Sequence, residues 1–228
     1  MPANYYNPVI TEINRNETLR YAGLTKAENF PEDLIKWACD EARALIKPQA
    51  IWQKYQYAAD SMKVNEWQQT ALVGNSITRH LRNSTEVIIM AVSIGQQLEQ
   101  AVKQYFRQGE YTRGLLLDAA GTTAVETAAD SVSRLISEQA AKSGMTITSR
   151  FSPGYGDWNI TVQPTIVTLA NAEQIGITVT ESCMLIPRKS VTAIIGLQPD
   201  KPASCCLPAD SINCKACTKM NCLARKEQ

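Results

Sequence analysis

Arg150, Gly154 and Tyr155 form an R-x-x-x-G-Y pattern whose chemistry suits a small ligand that carries a carboxylate. An arginine guanidinium pairs with a carboxylate through two parallel hydrogen bonds. Glycine allows a close approach of the backbone that a side chain would prevent. Tyrosine adds an aromatic face for a flat ring. The same residues also fit a plainer interpretation, in which a strand ends in a turn beside a surface arginine.

A second motif follows, and it has the pattern E-S-x-x-x-x-P-x-x-S-V. Its residues are Glu181, Ser182, Pro187, Ser190 and Val191. Strands predicted on either side of Glu181 and Ser182 place these two residues in a connection. The motif therefore begins in a connection and ends where a further strand begins.

Two acids, Asp118 and Glu126, stand in an alanine-rich segment that is predicted to be helical. The small side chains around them indicate a surface for close packing. Burying an unpaired charge is costly, so an acid on such a surface either faces water or has a partner. From the residues alone, both alternatives stay open.

Five of the seven cysteines crowd into the last stretch of the chain, at Cys205, Cys206, Cys214, Cys217 and Cys222. In a chain expected in a reducing compartment, this clustering favours metal or redox chemistry over a disulfide framework. The C-x-x-C pair is spaced for one metal ion, and four thiolates suit zinc or an iron–sulfur cluster equally well. A reduced tail without metal is the alternative.

In their order and spacing, the R-x-x-x-G-Y and E-S-x-x-x-x-P-x-x-S-V motifs resemble the activation domain of vitamin B12-dependent methionine synthase. The resemblance extends upstream to residues 91–95 and 117–126, so it covers most of residues 15–197. It implies a domain that binds S-adenosylmethionine and meets a corrinoid protein or a methionine synthase core. In that family an electron donor reduces the corrinoid cobalt, which then takes the methyl group of S-adenosylmethionine.

The resemblance also implies roles for individual residues. Arg150 is expected to pair with the ligand's carboxylate, while Glu126 or Glu181 neutralises its ammonium or sulfonium group. A sulfonium carries its own leaving group, so the protein needs to position it and no general base is implied. The full set of expected cofactor-binding residues is Arg150, Gly154, Tyr155, Glu126, Glu181, Ser182 and Ser190.

The chain also departs from the family pattern. The proline- and cysteine-containing run that follows the tyrosine in the family is replaced here by residues 156–159, GDWN. Thr192-Ala193 stands where the family usually has Ser-Gly, and the cysteine-rich tail replaces the end of the family domain. Since 228 residues cannot hold folate, homocysteine and cobalamin modules as well, a free-standing reactivation protein is expected.

Composition indicates an ordinary soluble globular protein. Hydrophobic residues make up 44% of the chain and charged residues 20%, and the net charge is +1. This charge favours neither nucleic acid nor an anionic membrane as a partner. The N-terminal segment has no signal-peptide pattern, and no apolar run approaches the roughly 18–20 residues that span a bilayer. We therefore expect a cytoplasmic protein.

Hydrophobic periodicity predicts an α+β fold with helices and an antiparallel sheet, because the segments show no regular β-α-β rhythm. The domain is expected over residues 1–198, with a metal-binding tail over 199–228. Helices are predicted over 31–47, 75–82, 96–107, 110–143 in two pieces around Gly121, and 164–171. Strands are predicted over 51–57, 86–94, 145–150, 178–180, 184–186 and 191–197.

Two other functions fit the same residues. One is a non-catalytic binding module with a structural zinc tail. The other is an iron–sulfur electron carrier for corrinoid reduction that keeps the fold without binding S-adenosylmethionine. Whether methyl transfer counts as catalysis by this chain stays open, because the cobalt would lie on a partner.

Overall fold

The structure is a computed structural model that describes residues 3–27, 30–58, 63–64 and 72–199. The α-helices are α1 (Arg15–Tyr21), α2 (Glu32–Leu45), α3 (Asn75–Leu81), α4 (Gln97–Arg107), α5 (Tyr111–Ala141) and α6 (Gln163–Ala170). The strands are β1 (Asn4–Tyr6), β2 (Gln49–Ala58), β3 (Lys63–Val64), β4 (Glu86–Ser93), β5 (Met145–Ile147), β6 (Thr178–Val179), β7 (Leu185–Ile186) and β8 (Ser190–Pro199). Short 3-10 helices cover Ile160–Val162 and Ala172–Ile175.

The main sheet is antiparallel and is centred on β4. Its strand order is β1-β2-β4-β8-β5, with β3 paired to β2. Ala91 of β4 lies opposite Ile51 of β2 and opposite Thr192 of β8. Residues 87–93 of β4 are all buried, because helices cover both faces of the sheet. The unbroken apolar run predicted this central strand.

Helix α5 covers one face of the sheet and is a single unbroken helix. The predicted division at Gly121 is therefore wrong, and the reason is a packing contact. A Cβ on Gly121 would lie 2.6 Å from Leu98 Cδ2, so the glycine marks a close approach between α4 and α5. Further along, Ala128, Val132 and Ile136 pack against the sheet.

The remaining helices form the outer layers. Helices α1, α2 and α4 pack against the side of α5 that faces away from the sheet, around Leu117, Ala120 and Ala124. On the opposite face of the sheet, Trp158 and the residues of α3 and α6 pack against Ile89 and Ile194. Helices on both sides of an antiparallel sheet confirm the predicted α+β fold. Among the described residues, none of the helices has the length and apolarity to cross a membrane.

Helix α2 lies between two prolines. The helix starts at Glu32, directly after Pro31, and ends before Pro48. Its Cys39 is buried, and its sulfur lies 3.7 Å from Thr18 Oγ1. Burial raises the pKa of the Cys39 thiol, so the protonated form is favoured.

Candidate functional site

Among the described residues, part of one edge of β8 has no neighbouring strand, and we call this part the open edge. Strand β5 pairs only with residues 197–199, and beyond it Thr148 donates its N–H to Gly196 O at 2.9 Å. Phe151 and Ile194 then exchange two hydrogen bonds of 2.9 Å, after which the chain turns away. Backbone groups alternate in direction along a strand, so those of Ser190 and Thr192 point to this same edge. No described strand pairs with them there.

Arg150 stands at one end of this open edge. Its Nη2 atom lies 3.0 Å from Glu126 Oε2 and 2.9 Å from Asp130 Oδ1, both on α5. Its Nη1 atom is buried and donates to no acceptor in the described part of the chain. A buried cationic donor without an acceptor is costly, so Nη1 is a site where a ligand's anionic oxygen is favoured.

Lys189 stands at the other end, immediately before β8. Its Nζ atom lies 2.9 Å from Asp118 Oδ1 and 2.8 Å from Thr122 Oγ1. Its backbone N–H donates to Glu99 Oε1 at 2.9 Å. The side chain is only 12% exposed, so these contacts fix the start of β8 against α4 and α5.

A polar stripe on α5 connects the two ends. Asp118, Thr122, Glu126 and Asp130 recur every fourth residue, and this spacing places them on one face of the helix. Asp118 and Glu126, which could have faced water or had partners, are therefore both paired with cations, Asp118 with Lys189 and Glu126 with Arg150. The stripe runs beside the open edge of β8, with Lys189 contacting its first turns and Arg150 its last.

The loop after Arg150 is shaped by two glycines. Gly154 has a φ of 90°, and its N–H donates to Trp158 O at 2.8 Å. The Gly154 N–H is therefore occupied by a hydrogen bond within the loop, whereas the motif had suggested that the backbone here could approach a ligand. Gly156 has a φ of 55°, and a Cβ there would lie 2.5 Å from Ser76 Oγ, so the loop lies directly against α3.

Asp157 fastens the same loop to α3 by capping the helix. Its two carboxylate oxygens accept hydrogen bonds of 2.8 Å from the backbone N–H groups of Asn75 and Ser76. The bond from Ser76 is the main cause of a lowered pKa for Asp157. Asn75 and Ser76 are residue types that commonly cap helices themselves, but here both lie inside the helix and the cap comes from a distant loop.

Aromatic rings pack against one another where this loop begins. Tyr155 is 45% exposed, and its ring meets the Phe151 ring edge-on at 5.8 Å. Phe151 also stacks on His80 at 4.9 Å. His80 Nε2 lies 2.9 Å from Ser149 O and 2.9 Å from Thr148 Oγ1. These contacts give His80 a structural role.

The family model described as "Vitamin B12 dependent methionine synthase, activation domain" matches residues 10–203. The chain belongs to this family of activation domains. A comparison with curated proteins gives no match.

One similar solved structure is a crystal structure of the MetH reactivation domain bound to AdoHcy. It is 15% identical to this activation domain, with a TM-score of 0.56. The alignment covers 90% of this chain and 81% of the other. At this identity the likeness establishes the shared fold.

The residues of the R-x-x-x-G-Y motif lie close together in this activation domain, whereas those of the E-S-x-x-x-x-P-x-x-S-V motif lie apart. Arg150 contacts Glu126 directly, and Tyr155 lies in the adjoining loop. Glu181 and Ser182 lie exposed in the turn between β6 and β7, where Ser182 Oγ is 3.0 Å from Thr180 Oγ1. No hydrogen bond or ion pair in the described part of the chain joins either of them to Arg150.

Ser190 lies at the start of β8, opposite Ser93 of β4. Its Oγ atom is buried and makes no hydrogen bond to the described residues. It is therefore a second polar atom in need of a partner beside the open edge. The roles of Glu181, Ser182 and Ser190 toward a ligand stay predictions.

The predicted metal ligands Cys205, Cys206, Cys214, Cys217 and Cys222 lie outside the described residues. Within residues 3–27, 30–58, 63–64 and 72–199, no group of three or more His, Cys, Asp or Glu side chains is arranged to hold a metal ion. Metal binding therefore stays a prediction that depends on the cysteine spacing.

Two residues near Arg150 were missed by the sequence reasoning. Asp130 shares the guanidinium with Glu126 and lies one helical turn further along α5, a spacing that was visible in the sequence. Tyr21, at the end of α1, lies close enough to Glu126 for the charge of that carboxylate to affect the pKa of the tyrosine hydroxyl. Its pKa is raised first by burial and then by the negative charge of Glu126. No local signal connects Tyr21 to this site.

Proposed function

We propose that this activation domain binds S-adenosylmethionine between the open edge of β8 and the polar stripe of α5. The observation that carries the proposal is the buried Nη1 atom of Arg150, which has no acceptor among the described residues. The carboxylate of the ligand would accept from Nη1, while its ammonium group would lie near Glu126. The outward backbone groups of Ser190 and Thr192 are suited to polar atoms of the ribose or adenine.

The task of these residues in methyl transfer is to position the ligand. The bond between the methyl carbon and the sulfonium sulfur breaks, and sulfur keeps the electron pair as a thioether. A reduced corrinoid on a partner supplies the cobalt that accepts the methyl group. The chain's own contribution is to fix the amino-acid end of the ligand, which orients the methyl group toward the partner.

Calorimetric titration of S-adenosylmethionine into protein purified without oxygen tests the site. Arg150→Ala should abolish measurable binding, since it removes the cation that pairs with the carboxylate. Arg134→Ala is the matched control, because Arg134 is an exposed arginine on α5 with no ion pair among the described residues. Equal binding by wild type and Arg150→Ala would reject this site, and absence of binding by wild type would reject the ligand.

The partner and its electron supply belong to the same proposal. A corrinoid protein or methionine synthase core would bind this domain, and an electron donor would reduce the cobalt. Cobalamin-dependent methyl transfer from S-adenosylmethionine, followed in a reconstituted mixture, tests the free-standing role. Binding without any transfer would favour the alternative of a non-catalytic module.

For the cysteine-rich tail we propose metal binding through Cys205 or Cys206 with Cys214, Cys217 and Cys222, either as zinc or as an iron–sulfur cluster that relays the electron. The spacing of these cysteines supports the proposal. Metal analysis of anaerobically purified protein separates the two metals. A Cys214→Ser, Cys217→Ser variant that retains the full metal content would reject this ligand set.

A further inference from the structure

We propose that Asp130 is a positioning residue that holds Arg150 by its Nη2 atom and leaves Nη1 for the carboxylate of an S-adenosyl ligand. The inference rests on the proposed function and deepens it. Asp130 belongs to neither sequence motif, and its relationship to Arg150 emerges only in the folded chain.

The contacts divide the guanidinium into two halves. Asp130 Oδ1 and Glu126 Oε2 lie 2.9 Å and 3.0 Å from the same nitrogen, Nη2. The other terminal nitrogen, Nη1, is buried and has no acceptor in the described structure. Both anchoring contacts thus fall on Nη2, and Nη1 is left for a further anion.

The two acids differ in exposure, which separates their roles. The side chain of Glu126 is 36% exposed, whereas that of Asp130 is 66% exposed. Glu126 also lies near Tyr21, on the more enclosed part of the stripe. When the ammonium group of a ligand engages Glu126, Asp130 remains as the acid that keeps the guanidinium in place.

Holding Arg150 in advance favours binding through entropy. An unanchored arginine side chain samples many rotamers, and a ligand that immobilises it loses affinity accordingly. Asp130 restricts these rotamers before the ligand arrives. Because Asp130 is well exposed and its ion pair is screened by water, the expected effect on affinity is modest, about threefold to fivefold.

Two probes isolate this effect from other consequences of losing a charge. S-adenosylhomocysteine carries the amino-acid carboxylate but has an uncharged sulfur. 5′-Methylthioadenosine has the same adenosine and an uncharged sulfur but lacks the amino-acid group. A residue that acts through Arg150 affects only the first probe, whereas a residue that merely supports the fold affects both.

The experiment is calorimetric titration of both probes into wild type, Asp130→Asn and Asp130→Glu, with Asp40→Asn as the control for an exposed helical acid. Asp130→Asn should weaken S-adenosylhomocysteine about threefold to fivefold and leave 5′-methylthioadenosine unchanged. Asp130→Glu should restore most of the affinity. Asp40→Asn should change neither value.

Each other outcome overturns the inference. Tighter binding by Asp130→Asn would make Asp130 a competitor for Arg150, an equal loss for both probes would make its role structural, and unchanged affinity would remove its role. If wild type binds both probes and Arg150→Ala loses affinity for S-adenosylhomocysteine only, these outcomes reject the Asp130 role alone. If wild type binds neither probe, the proposed function and the role of Asp130 are rejected together.

Discussion

The ammonium nitrogen of Lys189 lies 2.9 Å from the carboxylate of Asp118, and this ion pair joins the first residue before β8 to the first half of α5. The strand and the helix are far apart in the sequence, yet they form the two sides of the candidate site. This contact fixes the separation of the strand and the helix at one end of the candidate site.

Lys189→Ala should lower the free energy of unfolding by about 1–2 kcal/mol. The change removes a largely buried charge-assisted contact, whose effect is reduced because Asp118 is 40% exposed to water. Urea denaturation measures it. Lys103→Ala, at an exposed position on α4, is the control and should stay within about 0.5 kcal/mol of wild type. Equal effects at both positions would show that the ion pair contributes nothing specific.

Asp157→Ala should destabilise the protein at neutral pH, since it leaves the N–H groups of Asn75 and Ser76 without their acceptors. The folded state lowers the pKa of Asp157 below 3.8, mainly through the bond from Ser76. The stabilising effect is therefore present above that pH and disappears as the pH falls through the lowered value. Melting temperatures of both proteins should converge in strong acid, and a constant difference would contradict the cap.

His80 should make the wild-type protein less stable as the pH falls below 6.5. Burial lowers the pKa of this histidine in the folded state, so the unfolded chain takes up a proton first. The stabilisation is complete above 6.5 and decreases as the pH approaches the lowered value. Because the chain has a single histidine, comparison with His80→Gln isolates the effect. A pH profile of stability that His80→Gln leaves unchanged over this range would contradict the prediction.

Gly196→Ala should destabilise the protein by about 1–3 kcal/mol through overpacking. A Cβ on Gly196 would overlap Ser84 Oγ and lie 2.9 Å from Leu81 Cδ2, and both of those residues are buried. Denaturant unfolding provides the measurement. Adding Ser84→Gly removes the overlapping atoms and should recover part of the loss. A stable Gly196→Ala protein would mean that α3 can move away from β8 at little cost.

Much of the fold was predictable because its strongest elements carry local signals. The apolar run of residues 86–94 predicted the central strand, and Pro31 and Pro48 delimited α2. The continuity of α5 was not predictable, since the reason for glycine at position 121 is the side chain of Leu98 on another helix. A glycine selected for a tertiary contact has the same sequence signal as one that interrupts a helix.

The candidate site was predictable only in part, for a related reason. Arg150 and Glu126 were identified from motif and position, and the structure brings them into contact. The roles of Asp130 and of Asp157, by contrast, depend on residues that lie 20 or more positions away in the chain. Their identity as acids is visible in the sequence, but a partner supplied by tertiary packing is not.

The open edge of β8 has a consequence for association between molecules. An exposed strand edge is a template on which another chain can add a strand, and proteins limit this hazard with short edges and charged side chains. Here the stretch from Ser190 to Ala193 is only a few residues long, with Lys189 at one end and Arg150 at the other. The same two cations that delimit the candidate site thus also limit edge-to-edge association along this stretch.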